Sequence, residues 1–313
     1  MIKTSITEML GIEYPVFQGG MAWIADGELA AAVSNGGGLG IIAAGNAPAD
    51  IVREQIKIAK AKTDRPFGVN IMLMSPFADD VAQVVCEEKV AVVTTGAGNP
   101  SKYIEAWKEA GIKIIPVVAS VALAKRMERM GADAVIAEGG ESGGHVGELT
   151  TMVVVPLVRD AVSIPVIAAG GIADGRGFAA AFMLGAQGVQ MGTRFLSAEE
   201  CDIHDNYREK IIKANDLSTT VTGKRLGHPI RCLRTNFVRE YTKLEYSDTP
   251  DETLEAMGAG RLRMAVKEGD ADGSYMSGQI AAMVQKVQPA AEIVREVVEE
   301  GEARLKEAAN WVK

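Results

Sequence analysis

Cysteine is scarce in this chain of 313 residues, which contains only Cys86, Cys201 and Cys232. The three are widely spaced and form no C-x-x-C pair, so we expect neither a disulfide framework nor a structural zinc site. A chain without such crosslinks suits a reducing compartment, and this favours a cytoplasmic enzyme.

Long apolar runs and excess positive charge are missing as well. Thr4, Thr7 and Glu8 interrupt the N-terminal segment, which therefore lacks the pattern of a secretory signal. No stretch free of glycine and charge approaches the length of a membrane span. The net charge of -8 at pH 7 argues against nucleic acid and against an anionic membrane surface as partners.

Hydrophobic residues make up 47% of the chain, enough for a sizeable core, and the length suits one large α/β domain with a smaller addition. Short apolar runs recur at the spacing of a βα unit and predict strands buried on both faces. The predicted strands are residues 15–18, 38–44, 67–73, 90–95, 112–119, 132–137, 165–169 and 188–191.

Helix signals lie between these runs. Asp26, Ser120 and Asp174 each precede an apolar, helix-like stretch and predict N-caps, and Pro48 suits the first turn of a helix over residues 49–62. Eight alternating units favour a (β/α)8 TIM barrel over a doubly wound open sheet, because polar or glycine-rich motifs follow nearly every strand.

The pattern changes after the eighth predicted strand. Residues 200–260 are polar and highly charged, and we interpret them as a smaller helical cap. Residues 1–199 and 261–313 would then form the barrel, with an amphipathic helix predicted over residues 292–312. The cap contains six basic residues that could steer an acidic partner or a phosphate, although scattered surface charge explains them equally well: Lys224, Arg225, Arg231, Arg234, Arg239 and Lys243.

A glycine-rich loop follows the sixth predicted strand and contains His145. Five glycines occur in residues 138–147, so the backbone can approach a flat ligand closely. A histidine at the mouth of a strand is suited to acid/base chemistry near neutral pH. Glu138 begins this loop, and a structural carboxylate and a ligand contact are equally good interpretations of it.

Two further loops predict a phosphate site. Gly170 and Gly171 follow the seventh strand, and Gly192 and Thr193 follow the eighth, which is where barrels often bind phosphate through backbone N–H groups. Asn70 within the third strand is a polar amide that needs hydrogen-bond partners. A phosphate site at one side of the barrel mouth, with polar groups on the first and third strands, is typical of a site for flavin mononucleotide (FMN).

No metal-ligand cluster or nucleophile-elbow motif is visible in the sequence. Six motifs instead resemble the nitronate monooxygenase-like flavoproteins, and within that group the FMN-dependent enoyl-acyl-carrier-protein reductases II. They are residues 17–22, 66–70, 94–100, 143–145, 168–172 and 190–194. The resemblance extends almost from end to end and includes residues 257–260 and 278–281.

The resemblance implies reduction of a trans-2-enoyl thioester by NADH or NADPH through FMN, with an acyl-carrier protein as partner and a homodimer as the assembly. It implies a catalytic role for His145 and leaves open a monovalent cation, for which residue spacing indicates no site. The implied cofactor-binding residues are Gly20, Met21, Asn70, Glu138, Gly143, Gly144, Ala169, Gly170, Gly171, Gln190, Met191, Gly192, Thr193 and Gln279.

Two other functions compete with the reductase. The shared barrel motifs fit a nitronate monooxygenase, in which flavin reacts with oxygen and no nicotinamide is needed. A flavin-binding barrel without catalytic activity is the third hypothesis, against which the intact 143–145 motif argues.

Overall fold

The computed structural model describes residues 2–311. Met1, Val312 and Lys313 lie outside the described residues, together with the corresponding ends of the predicted barrel segments and C-terminal helix. Eight parallel strands form one sheet, in the order β1-β9-β8-β6-β5-β4-β3-β2. They are β1 (Val16–Gln18), β2 (Ile41–Ala43), β3 (Gly68–Met72), β4 (Val92–Gly96), β5 (Lys113–Val118), β6 (Val135–Glu138), β8 (Val166–Ala169) and β9 (Gly188–Met191).

The first and second strands close this sheet into a barrel. Phe17 forms a parallel bridge with Leu39, and the Gln18 amide N–H donates to the Leu39 carbonyl at 3.0 Å. The buried Gln18 side chain extends the seam, since its Nε2 donates to the Ile41 carbonyl and its Oε1 accepts from the Ile41 N–H, both at 3.2 Å. Each predicted strand overlaps an observed one, and the closure confirms the barrel over the open sheet.

Helices surround the barrel and supply the cap. They are α1 (Ser5–Leu10), α2 (Gly27–Asn35), α3 (Ala49–Lys62), α4 (Ala78–Glu87), α5 (Ile104–Glu109), α6 (Val121–Met130), α7 (Thr151–Ala161), α8 (Gly175–Met183), α9 (Asp205–Ile212), α10 (Asn236–Glu245), α11 (Asp251–Gly258), α12 (Arg261–Arg263) and α13 (Ala290–Ala308). The predicted N-caps are confirmed, because the side chains of Asp26, Ser120 and Asp174 accept hydrogen bonds from first-turn amides.

The barrel is covered at one end and open at the other. Ile6 and Leu10 of α1 pack with the buried interior residues Phe17, Ile115 and Ile167, so α1 plugs the end where the strands begin. The loops at the opposite end, where the parallel strands finish, are left to build a site. None of the helices within residues 2–311 is long and apolar enough to cross a membrane.

The cap contains a small sheet in addition to its helices. Strands β10 (Thr219–Thr222) and β11 (Ile230–Leu233) form an antiparallel ribbon, and β11 also pairs with β7 (Gly144–His145) from the glycine-rich loop. The sequence predicted a helical cap and did not foresee these strands. After the cap, the chain returns through a 3-10 turn (Gln279–Met283) to α13, which packs against α8 and α2 as the eighth barrel helix.

Candidate active site

Asn70 on β3 packs against Gly20, which follows β1, at the open end of the barrel. A Cβ atom on Gly20 would lie 2.5 Å from Cβ of Asn70, so only glycine fits at position 20. The Thr94 hydroxyl donates to Oδ1 of Asn70 at 2.9 Å, which fixes the orientation of the amide. Within residues 2–311, Nδ2 of Asn70 donates no hydrogen bond, so this half-buried amide has two N–H donors available for a ligand.

The loop after β9 lies against the loop after β1. A Cβ on Gly19 would lie 3.0 Å from Cδ of the buried Gln190 side chain, and a Cβ on Gly192 would lie 3.6 Å from Sδ of Met21. Thr193 begins the 3-10 turn Thr193–Ser197. These contacts place the predicted residues of strands one and eight at one side of the barrel mouth.

Thr193 also connects this side to the return segment. Its Oγ1 accepts a hydrogen bond from the Gly278 N–H at 2.8 Å, which leaves the hydroxyl proton free to be donated. A Cβ on Gly143 would lie 2.7 Å from the Gly278 nitrogen, and the Gln279 N–H donates to the Glu141 carbonyl at 2.9 Å. The return segment therefore joins the β9 loop to the loop that contains His145.

The Gly170–Gly171 pair has a backbone that side chains would strain. Both residues have positive φ, 88° and 73°, and a Cβ on Gly170 would lie 2.7 Å from the Gly139 carbonyl oxygen. In the part of the chain from 2 to 311, the N–H of Gly171 makes no hydrogen bond. A free amide in a turn of this kind is a donor suited to an anion.

Glu138 is the last residue of β6 and pairs in register with Ala169. Burial raises the pKa of Glu138 to about 7, and the nearby Ser142 hydroxyl opposes that shift only weakly. Oγ of Ser142 is itself buried without a hydrogen-bond partner of good geometry among the described residues. A carboxyl group that titrates near neutrality and a buried hydroxyl without a partner both suit a site completed by a ligand.

His145 lies at the rim of this mouth, on β7. Its side chain is exposed, yet it lies against enough protein for desolvation to lower its pKa, and the charge of His228 lowers it further. The imidazole is therefore neutral at pH 7, with one nitrogen able to donate and the other able to accept a proton. A neutral imidazole beside an open pocket is suited to acid/base work.

Two residues that hold the His145 loop were not assigned this role from the sequence. Both carboxylate oxygens of Glu141 accept from the Thr151 N–H, at 3.0 and 2.9 Å, and Oε2 also accepts from the Thr151 hydroxyl. Arg231 on β11 donates through Nε and Nη2 to the Gly140 carbonyl. No sequence signal indicates either contact, because each joins residues that meet only in the folded chain.

These contacts bring all the predicted site residues to one end of the barrel. Within residues 2–311, no group of three or more His, Cys, Asp or Glu side chains could hold a metal ion. A closed (β/α)8 barrel with glycine turns after β8 and β9, free amide donors and a histidine at its mouth suits a flavin-dependent oxidoreductase.

Comparison with known proteins agrees with this class. The family model for nitronate monooxygenase matches residues 3–87 and 75–300, so the chain belongs to the nitronate monooxygenase family. The structure of FabK from Thermotoga maritima is similar over 100% of both chains, with 53% sequence identity and a TM-score of 0.97.

Two curated relatives show the range of the family. The chain is 42% identical over 242 residues, 76% of its length and 68% of the relative, to (3aS,4S,5R,7aS)-5-hydroxy-7a-methyl-1-oxo-octahydro-1H-indene-4-carboxyl-CoA dehydrogenase of Mycobacterium tuberculosis. It is 35% identical, over 91% of its length and 94% of the relative, to a probable nitronate monooxygenase of Staphylococcus saprophyticus.

Proposed function

We propose that this protein is an FMN-dependent enoyl-acyl-carrier-protein reductase that uses NADH or NADPH to reduce trans-2-enoyl thioesters. The observation that carries this proposal is the likeness to FabK, because 53% identity and a TM-score of 0.97 extend over the whole chain, cap included. The relative that is named as a carboxyl-CoA dehydrogenase adds support, since a carboxyl-CoA is also a thioester.

The residues at the barrel mouth fit FMN. The phosphate would be held by Gly170, Gly171, Gly192 and Thr193, where the Gly171 amide and the Thr193 hydroxyl offer free donors. The ring would lie over the Gly20 turn and accept from Nδ2 of Asn70. The remaining proposed contacts are Met21, Glu138, Gly143, Gly144, Ala169, Gln190, Met191 and Gln279. When bound, FMN supplies hydride transfer between the nicotinamide and the thioester.

His145 would stabilise the negative charge that develops as the double bond of the substrate is reduced. Its neutral imidazole can donate a hydrogen bond to the thioester oxygen or supply a proton at the α-carbon. Arg231 would hold the loop so that the imidazole keeps its position, because its two bonds end on the carbonyl of Gly140.

Nitronate monooxygenase is the second candidate, favoured by the family model and by the staphylococcal relatives. An anaerobic reduction assay and a separate aerobic assay of oxygen uptake with nitronate together separate the candidates. The yellow holoenzyme is mixed with NADH or NADPH, and crotonyl thioester is added after the flavin absorbance has bleached. Bleaching followed by recovery on thioester supports the reductase. Absence of bleaching, with oxygen uptake that depends on nitronate, supports the monooxygenase, and inertness to both leaves a non-catalytic flavin protein.

An acyl-carrier protein is the proposed donor of the substrate, and the cap offers fewer free cations for it than the sequence suggested. Arg225, Arg231 and Arg234 donate to backbone carbonyls of the cap or the barrel mouth. Arg239, which donates to Oδ1 of Asn236, remains for steering together with Lys224 and Lys243. The Michaelis constant for a carrier-linked substrate should therefore rise with ionic strength, and a value independent of salt would count against the steering.

The assembly and the ion requirement are also open to direct tests. We propose a homodimer, which light scattering of the purified holoenzyme would detect. Turnover measured in sodium, potassium and ammonium salts at equal ionic strength would reveal a requirement for a monovalent cation.

A further inference from the structure

The cap contains a half-open apolar cavity whose lining includes none of the residues proposed to contact FMN. Its volume is about 510 Å³, which is enough for a small ligand. Six large apolar side chains of the ribbon, α10 and α11 line it, namely Leu226, Ile230, Phe237, Val238, Tyr241 and Leu254. The charged residues Glu255, Arg261 and Arg263 line it as well. Leu254 is fully buried and Phe237 and Tyr241 are nearly so. The apolar part of the wall is therefore a firm surface.

His145 lies on the face of the cap sheet that borders this cavity. His145 pairs directly with Ile230 in the antiparallel ladder between β7 and β11, and directly paired residues project to the same face. Cys232, two residues further along β11, shares that face. Ile230 and Cys232 both line the cavity, as does His228, whose charge acts on His145. The proposed catalytic imidazole and the cavity wall thus belong to one surface.

The other boundary of the cavity leads to the flavin side of the mouth. Trp23 follows the β1 turn that contains Gly20 and Met21, and it lines the cavity with 55% of its surface exposed. Its backbone is held at a positive φ of 68°, an uncommon conformation for a bulky residue. Met276 also lines the cavity, and its Sδ lies 3.5 Å from the position of a Cβ on Gly144. A molecule could therefore extend from the imidazole into the cap.

We propose that this cavity binds the acyl chain of the enoyl thioester, with the double bond at His145 and the chain directed into the cap. The inference rests on the proposed reductase and adds to it the part of the substrate that the cap recognises. An extended hydrocarbon matches the apolar part of the wall, because it has no polar atoms that would need partners among those side chains. Each methylene buried there should strengthen binding on the order of fourfold, until the cavity is filled.

Gly258 offers a way to fill the cavity without straining the chain. It ends α11 and lines the cavity, and a Cβ there would meet only Cε2 of Tyr241, at 4.0 Å. Gly258→Leu therefore inserts an isobutyl group into the empty space. Ala259→Phe is a second variant, in the extended backbone just after the helix. Ala256→Leu is the matched control, since Ala256 is exposed on the same helix and does not line the cavity.

The experiment measures both turnover and binding as a function of chain length. Holoenzyme and variants are given trans-2-enoyl-CoA substrates of four to twelve carbons, and calorimetry measures the affinity for saturated acyl-CoA of the same lengths. We expect Gly258→Leu and Ala259→Phe to lower the ratio of kcat/KM for decenoyl over crotonyl substrate at least tenfold. The gain in affinity with chain length should fall in parallel. Ala256→Leu should keep the ratio of the unmodified protein.

The outcomes distinguish this inference from the proposed function. If the unmodified protein reduces enoyl thioesters and both variants keep its chain-length profile, the acyl-chain cavity is refuted and the reductase stands. If it reduces none but binds long acyl chains more tightly, and Gly258→Leu removes that gain, the cavity stands and the reductase is refuted. Affinity independent of chain length, without turnover, refutes both.

Discussion

Arg231 of the cap donates two hydrogen bonds to one backbone oxygen of the loop that contains His145, that of Gly140, at 3.1 and 2.9 Å. The same residue pairs with Gly144 in the β7–β11 ladder, one position before His145. The loop that follows β6 is therefore a strand of the cap as well as a turn of the barrel. Any displacement of the cap ribbon should move the imidazole with it.

Arg231→Met should lower kcat about tenfold while the protein keeps its flavin. The substitution removes a guanidinium whose charge-assisted bonds to a partly buried carbonyl are each worth roughly 1.5–3 kcal/mol. The kcat of Arg231→Lys should lie between those of the unmodified enzyme and Arg231→Met, because an ammonium keeps the charge but not the two-pronged donor geometry of the guanidinium. Steady-state kinetics and flavin absorbance provide the measurement.

Arg234→Met is the control for that change, since Arg234 is exposed and donates through its Nε to a carbonyl of the ribbon itself, that of Thr219. We expect kcat within about twofold of the unmodified enzyme, since surface substitutions have small effects. Equal losses in the Arg231 and Arg234 variants would mean that general weakening of the cap, not the bond to Gly140, lowers turnover.

His145→Ala should leave the bound flavin in place and reduce turnover about 100-fold or more, which is the usual contribution of a positioned acid or base. Flavin content is measured by absorbance and turnover with crotonyl thioester. His204→Asn is the control, because His204 caps α9 through Nδ1 and asparagine is also an N-cap residue. Near-normal turnover in His145→Ala would remove this residue from the mechanism.

Gly20→Ala should abolish flavin binding. The added methyl group would lie 2.5 Å from Cβ of Asn70, so either the β1 turn or the Asn70 amide must move away from the proposed ring position. Gly96→Ala adds the same group at the end of β4, where no atom lies within 4 Å, and should keep the flavin. Flavin content is measured by absorbance after gel filtration, and circular dichroism checks that both variants are folded. Normal flavin content in Gly20→Ala would exclude the proposed contact.

Glu138→Gln should remove a pH dependence of stability from the flavin-free protein. Burial raises the pKa of Glu138 from 4.5 to about 7, so the folded state holds the proton more tightly than the unfolded state. The contribution of Glu138 to the free energy of unfolding is therefore fully present below pH 4.5 and is lost as the pH rises through 7. The loss is at most about 3 kcal/mol, from 1.36 kcal/mol for each pKa unit.

Urea unfolding at pH 5 and pH 8.5 tests this difference. Relative to the unmodified protein, the glutamine variant should gain stability at pH 8.5, because its side chain is never charged. If the difference in stability between the variant and the unmodified protein is the same at pH 5 and pH 8.5, Glu138 does not titrate in this range.

The barrel could be predicted from the sequence because its signals are local. Each strand is a short apolar run, and caps such as Asp26 and Ser120 mark the helix starts. The glycine pairs at strand ends also predict where the site lies, and this stays a prediction. The prediction failed to include the cap ribbon, since Thr219–Thr222 is only half-buried and lacks a continuous apolar run. Pairing of β11 with β7 joins Ile230 to His145 and Arg231 to Gly144, which are more than 80 positions apart in the chain, and leaves no local signal.

The eighth unit of the barrel is divided, because about 100 residues of cap and return segment separate β9 from α13. The backbone N–H of Gly175, at the start of α8, donates to the Glu300 carboxylate of α13 at 2.9 Å. Only glycine fits at position 301, because a Cβ atom there would lie 2.4 Å from the Phe178 ring. During synthesis, the apolar sides of α2 and α8 must therefore wait for the last helix to emerge from the ribosome. A nascent chain halted before residue 290 should be captured by chaperones, whereas a chain whose α13 has left the ribosome should be released.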